Sequence, residues 1–353
     1  MTSGLRLTGA DLACDMPPTR YQGSKRRMAS WIVGHLAGLD FHTVLDAFSG
    51  TGSVGYALKR AGKRVTCNDL LAFNRQIAMA LIENKRERLT WERMAPLLAP
   101  IPGRPYDDFI ARTFEGVYFT PAENRWLDVA VQNLDRVSCR YRRALAFYAI
   151  YQAAMAKRPY NLFHRRNLYM RTADVARTFG NKASWDRSFD DHVRRFVQQG
   201  DRAVFDNGTD CTSTCGDAMS LPTTFELVYL DPPYMNRRGV GVDYHHFYHF
   251  LEGLTRYREW GGLVDFESAH RRLRPVPSPW TRPGEIHGAF ERLFERFADS
   301  LLAVSYRSDG IPSLDELARM LRRFKGRIRC HTRRSAAYAL SRNRGSCEVL
   351  FVG

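Results

Sequence analysis

Two apolar spacings organise the first part of the chain. Met28, Trp31, Ile32, Leu36 and Leu39 recur at helical intervals behind Ser24, whose hydroxyl can cap a helix running to about Leu39. Thr43 to Phe48 then reads as a strand, a glycine turn follows, Val54–Ala61 reads as a helix, and Arg64 to Cys67 reads as a second strand ending at Asn68-Asp69. Strand, glycine turn, helix and strand within about 30 residues form a βαβ unit, which implies a parallel sheet. From Leu70 to about Asp201 helices and loops take over, and strand-like runs return at Ala203–Phe205, Leu227–Leu230 and Leu301–Tyr306. Ser313-Leu314-Asp315-Glu316 after Pro312 is a capping box that opens a helix to about Phe324. Arg327–His331 and Cys347–Val352 can pair as a terminal hairpin, and residues 1–18 read as a loose leader. The predicted organisation is an α/β sheet domain made of residues 1–84 and 201–353, interrupted by a mainly helical insertion at 85–200.

Composition narrows the class. The 353 residues are 44% hydrophobic and 25% charged, a globular balance. The longest apolar stretch, Ala144 to Ala156, is too short to cross a bilayer and contains Gln152, and the N-terminus lacks the basic-then-apolar order of a secretory signal. Seven cysteines include no Cys-x-x-Cys pair, and Cys211 and Cys215 have no second pair to complete a zinc ribbon or disulfide framework. These features predict a cytoplasmic protein without membrane attachment, and a monomer is expected. Charge changes the picture more: 53 Lys plus Arg against 37 Asp plus Glu give a net +16, a field that concentrates polyanions. Residues 136–202 hold 15 Lys plus Arg and only 5 Asp, interleaved with Tyr141, Tyr160, Phe163, Tyr169, Phe179 and Trp185. Cations neutralise phosphates and aromatic rings stack on bases, so this insertion is the expected nucleic-acid surface.

Two motifs carry chemistry. Asp46-Ala47-Phe48-Ser49-Gly50-Thr51-Gly52 follows a strand and opens a helix, where glycines let backbone approach a ligand. Gly50-x-Gly52-x-x-Gly55 with Asp69 nineteen residues on also fits a dinucleotide fingerprint, so the turn alone leaves the adenosine-bearing cofactor undecided. Leu230-Asp231-Pro232-Pro233-Tyr234, directly after an apolar strand, separates the readings. The prolines end strand pairing and fix the chain, so the Asp231 side chain and the Pro232 carbonyl can converge on one point. An exocyclic amino group on a nucleobase is a poor nucleophile until two acceptors draw its N–H groups out of conjugation. Asp231 and Pro232 would be those acceptors, with Tyr234 stacked on the base.

Taken together, the sequence resembles the DNA adenine-N6 methyltransferases of the Dam-like class, which use S-adenosylmethionine. Tyr21-Gln22-Gly23-Ser24-Lys25 looks like the family's N-terminal motif with Ser24 in place of its second glycine, Asp46–Gly52 is similar to the cofactor turn, and Asp231–Tyr234 matches the catalytic motif. The resemblance implies a Rossmann-like methyltransferase sheet, a target-recognition region in the insertion, double-stranded DNA as partner, extrusion of the target base, no metal, and a possible cognate restriction system. It also implies that Tyr21 and Lys25 hold the methionine end of the cofactor, and that Gly23, Asp46, Phe48, Gly50 and Gly52 are among the residues that bind it. Asp69 would take the ribose hydroxyls, Asp217 the adenine amino group, and Asp231 would border the cofactor from the catalytic side. Asn161–Arg171 loosely resembles the DNA-contacting loop, which makes Arg165, Arg166 and Arg171 the candidate contacts.

The rivals are methylation of cytosine N4 or of a ribosomal RNA base, a non-catalytic nucleic-acid-binding protein on the same fold, and a nicotinamide dehydrogenase. Asp rather than Ser at the first motif position favours adenine, and a dehydrogenase leaves Asp231–Tyr234 without a purpose. His245, His246 and His249 lack the glutamate and third ligand of a zinc protease, and read instead as a helix beside the site, with Tyr244 or Phe247 lining the base pocket. Ser305-Tyr306 lacks the glycine elbow of a hydrolase.

Overall fold

A computed structural model describes residues 16–174, 182–334 and 346–353, so most of the leader and Phe179 lie outside the described residues. Nine strands are described: β1 (Thr43–Asp46), β2 (Arg64–Asp69), β3 (Thr212–Cys215), β4 (Leu227–Leu230), β5 (Met235–Asn236), β6 (Leu301–Arg307), β7 (Gly310–Ile311), β8 (Arg329–Arg334) and β9 (Cys347–Val352). Seven form one sheet in the order β3-β2-β1-β4-β6-β9-β8, and β5 pairs with β7 in a separate two-stranded ribbon. Pairing is parallel from β3 to β6, whereas β9 runs antiparallel to both β6 and β8. The predicted hairpin therefore forms, with β8 shifted a few residues along.

The βαβ unit stands where the pattern put it, with the helix Ser53–Arg60 between β1 and β2. The N-terminal helix is broken into a single turn, Lys25–Arg27, and a helix Ala29–Leu36; Ser24 accepts a hydrogen bond from the Arg26 amide as its cap. The capping box is complete: Ser313 and Glu316 bond each other's backbone amides at the start of the helix Leu314–Arg322. The expected strand at Ala203–Phe205 is a correction. Ala203 ends the helix Phe189–Ala203, and the strand on that side is β3, whose Thr-Ser-Thr-Cys carries no apolar run because it pairs on one side only.

Helices cover both faces. On one side the helices Ile286–Arg296 and Leu314–Arg322 pack with Leu45, Val228, Val304 and Phe351. On the other, Val44, Val65 and Tyr229 belong to a core that continues through Ile82, Phe114, Leu127, Tyr148 and Phe196, so the helices of residues 91–203 share their apolar interior with the sheet. Strand order reverses between β1 and β4, the position at which doubly wound sheets open a crevice at their carboxyl ends. The turns after these strands are the two motifs.

Candidate active site

The turns after β1 and β4 open onto one cavity of about 470 Å³, within the size range of ligand pockets. Tyr21, Gly23 and Lys25 line it from the N-terminal motif, and Asp46, Phe48, Gly50, Asp69, Asp217 and Asp231 line it from the carboxyl ends of the sheet. Gly52, Pro232 and Tyr234 are not among its lining residues, although Pro233 is.

The glycine turn has a specific mechanical origin. Gly50 and Gly52 adopt φ of +51° and +75°, and a β-carbon on Gly52 would lie 2.6 Å from Ile82 Cδ1. The Asp69 carboxylate accepts from the Gly50 amide at 2.8 Å and from the Leu71 amide at 2.9 Å, so the acid closing β2 also fixes the bend after β1. Burial raises its pKa. Asp46 is 1% exposed; its Oδ2 accepts from the Gly55 amide at 3.0 Å, while Oδ1 has no hydrogen-bond partner among the described residues. Burial, then the nearby charge of Asp231, push its carboxyl up to about 8. A buried carboxylate oxygen without a partner, bordering the cavity, suits a cationic group such as the ammonium of a methionyl moiety. Asp217 accepts from the Met219 amide at 3.0 Å and caps the turn after β3.

Lys25, expected at the cofactor's methionine end, lines this cavity beside Asp231. Its ammonium, on a side chain 6% exposed, donates to Asp231 Oδ1 at 2.9 Å and to the Tyr234 hydroxyl at 2.7 Å. The Tyr234 hydroxyl also donates to Asp231 Oδ1. Burial first, then Asp231, hold that phenol well above its ordinary pKa. Both bonds to Asp231 fall on Oδ1. Tyr234 is thus tied to Asp231 through its hydroxyl, and its ring meets Tyr306 edge to face. Gly23 has φ +78°, and a β-carbon there would collide with the Tyr244 hydroxyl. Tyr21 stacks on Tyr244 at 5.3 Å and on Tyr248 at 4.4 Å, so the helix Tyr244–Thr255 walls the cavity. Of that helix, Tyr244 and His245 line the cavity, whereas Phe247 packs on His164. Pattern reading missed the segment 276–281, which contributes Val276 and Trp280; Trp280 meets Phe48 edge to face. Its prolines and single apolar residues follow neither period, so no signal marked it.

The three arginines expected at the DNA separate. Arg165 and Arg166 are exposed. Arg171 is buried and donates to both Glu123 oxygens, at 2.9 and 2.7 Å, and Lys157 reaches the same carboxylate at 2.8 Å. It holds the insertion together and is not on the surface, a correction to its expected role. Arg171→Ala should therefore destabilise the fold by about 3 kcal/mol, read by denaturant unfolding, because it breaks a buried pair. An unchanged unfolding midpoint would contradict that assignment. Among the expected aromatics, Phe163 and Trp185 are buried, while Tyr160 and Tyr169 are 50% and 68% exposed. Tyr160 and Asn161 both have positive φ, 65° and 58°, a strained pair set beside the exposed arginines. Arg158 is buried under this loop, between the Tyr118 and Phe163 rings, and donates to the Leu162 carbonyl at 3.0 Å.

Among the described residues no cluster could hold a metal ion, and no helix is long and apolar enough to cross a membrane. The profile of the D12 class N6 adenine-specific DNA methyltransferases matches residues 21–259. The type II methyltransferase M2.HphI of Haemophilus parahaemolyticus is 29% identical over 87% of this chain and 88% of its own length. The type II methyltransferase M.NlaIII of Neisseria lactamica is 22% identical over 86% of this chain and 88% of its own. M.FokI of Planomicrobium okeanokoites is 23% identical over 80% of this chain, which spans 43% of that larger protein. The chain therefore belongs to the D12 class N6 adenine-specific DNA methyltransferases.

Proposed function

We propose that this enzyme transfers a methyl group from S-adenosylmethionine to the N6 amino group of adenine within a specific sequence of double-stranded DNA, as the modifying half of a restriction system. The observation that carries this reading is the shared cavity: the carboxylates Asp46 and Asp69 on the glycine-turn side, and Asp231 with its lysine partner on the other. When bound, S-adenosylmethionine supplies a methyl made electrophilic by its cationic sulfur.

The chain's own residues do the rest. Asp46 Oδ1 would hold the cofactor's ammonium, Asp69 its ribose hydroxyls and Asp217 its adenine amino group. Lys25 and Tyr234 fix Asp231 through Oδ1, which leaves Oδ2 to accept one N–H group of the target amine, and the Pro232 carbonyl would accept the other. Held in this way, the nitrogen lone pair would be drawn out of conjugation and aimed at the methyl that the cofactor would supply, and the N–H proton it sheds would pass to solvent. Catalysis is alignment plus support for the positive charge that develops on nitrogen. The target base must leave the duplex, which costs about a few kcal/mol. Arg165 and Arg166, both exposed, would supply compensating contacts.

Incubation with labelled S-adenosylmethionine and plasmid DNA, followed by mapping of modified bases, tests the reaction directly. Label confined to adenine N6 within one short sequence is expected; label on cytosine, or on RNA alone, would overturn it. DNA affinity should also fall steeply with salt. Arg165→Ala with Arg166→Ala should reduce the log–log slope by about 1.8, near 0.9 per phosphate contact. A slope that the double variant leaves unchanged would remove these two arginines from the DNA surface.

A further inference from the structure

The sheet carries a second basic region that the insertion does not explain. Residues 319–334 contain eight Lys plus Arg and no carboxylate. They are not equivalent in space. Because β9 is antiparallel to β6 and β8 is antiparallel to β9, β8 runs parallel to β6, β4 and β1. Its carboxyl end, Arg333-Arg334, therefore lies on the same edge of the sheet as the cavity, and its first residue, Arg329, lies on the opposite edge.

Along the cavity edge a chain of contacts links two exposed arginine pairs. The turn that follows Tyr234 presents Arg237 and Arg238, both exposed, with Asn236 Oδ1 accepting from the Arg238 and Val240 amides to shape it. Arg237 donates to the Ser308 carbonyl at 3.4 Å. Ser308 exchanges bonds with Cys347, its amide donating to the Cys347 carbonyl at 3.0 Å and its hydroxyl accepting from the Cys347 amide at 2.8 Å. Cys347 in turn pairs with Arg334 in the ladder between β9 and β8. Two carboxylates lie along these contacts, and neither offsets the arginines: Asp309 is bonded to Arg307 at 2.8 Å, and Glu348 is 4% exposed. Arg333 and Arg334 are exposed and make no ion pair among the described residues.

The insertion covers the other flank. Its helix Arg140–Ala156 packs on the helix Ala72–Ala78, which packs on β2 and β3. A duplex that delivers a base into the cavity between β1 and β4 and meets cations at both ends must run along the carboxyl edge of the sheet. From β4 to β8 is three strand spacings, about 14 Å, or roughly four base pairs at 3.4 Å each.

We infer that the edge from Arg237-Arg238 to Arg333-Arg334 is a phosphate-binding track for the flank of the DNA substrate that lies away from the insertion, reaching roughly four base pairs from the target adenine. The inference rests on the reading of the substrate as duplex DNA. The track contacts backbone, so it strengthens binding on any sequence and leaves base readout to other residues.

The test measures the Kd of a duplex carrying the mapped site, by fluorescence anisotropy across a salt series, for the full chain and three double variants. Arg333→Ala with Arg334→Ala should weaken binding roughly tenfold and reduce the log–log salt slope by about 1.8. Arg333→Lys with Arg334→Lys should retain the slope, which separates charge from any disturbance of the strand. Arg327→Ala with Arg329→Ala, at or beyond the opposite edge, should change neither quantity. A slope unaffected by the alanine pair at the cavity edge, or lowered equally by the pair at the far edge, overturns the track. Methyl transfer by the unaltered protein to the same duplex is read separately. Transfer with no change in slope would remove the track and keep the enzyme reading, whereas a lowered slope without transfer would keep the track and remove that reading.

Discussion

Asp231→Ala should lower kcat by about 100-fold or more, near 2.7 kcal/mol of transition-state stabilisation, while cofactor Kd stays within about threefold. The expectation follows from where Asp231 sits. Its Oδ1 is occupied by Lys25 and Tyr234, and its second oxygen, at the end of β4 where it lines the cavity, is the acceptor we propose. Charge accumulates on the target nitrogen as the methyl arrives, so a carboxylate there acts in the transition state more than in the ground state. Removal of Asp231 also breaks a buried ion pair with Lys25, whose side chain is 6% exposed, so the alanine variant should unfold more readily. Lys25→Met in the Asp231→Ala background separates the two effects. It should recover part of the stability lost, about 3 kcal/mol for a broken buried pair, and should not recover turnover. Near-normal kcat in Asp231→Ala, measured by single-turnover methylation at saturating DNA, would remove Asp231 from the chemistry.

What the sequence displayed and what it concealed divide along physical lines. β1, β4 and β9 were legible because buried strands need apolar runs, and the glycine turn was legible because positive φ at Gly50 and Gly52 restricts the residue type. β3 was illegible for the converse reason: an edge strand of Thr, Ser and Cys needs no apolar run. The two chemical motifs could be read separately, but the bond that joins Lys25 to Asp231 spans 206 positions, and no local pattern announces it. Arg171 misled for a related reason. A basic residue in a basic stretch looks solvated, whereas its partner Glu123 lies 48 positions earlier and takes it inside. The cations of residues 319–334 are plain in the sequence, yet only strand direction distinguishes the pair beside the cavity from those at the far edge.

Asp46→Asn should weaken S-adenosylmethionine binding by about 100-fold, the scale of one charge-assisted hydrogen bond lost from a buried site. The pH dependence of the unaltered protein makes this assignment sharper. Burial, reinforced by Asp231, pushes the Asp46 carboxyl up to about 8, so below that pH the site without its ligand carries a proton that a cationic group must displace. Affinity should therefore rise with pH, approaching tenfold per unit well below pH 8, and fall again above it as the ligand's own ammonium, with an α-amino pKa of about 8, loses its proton. The sign for stability is opposite. A carboxyl whose folded pKa is raised favours its neutral form, so the stability it contributes is lost as pH rises toward 8, and the bound cation restores it. Isothermal titration in buffers of different ionisation enthalpy measures the released proton, and the Asn variant should release none from this site. A cofactor Kd that does not change between pH 6 and pH 9 in the unaltered protein would show that Asp46 does not meet the cation, and the buried Oδ1 would need another partner.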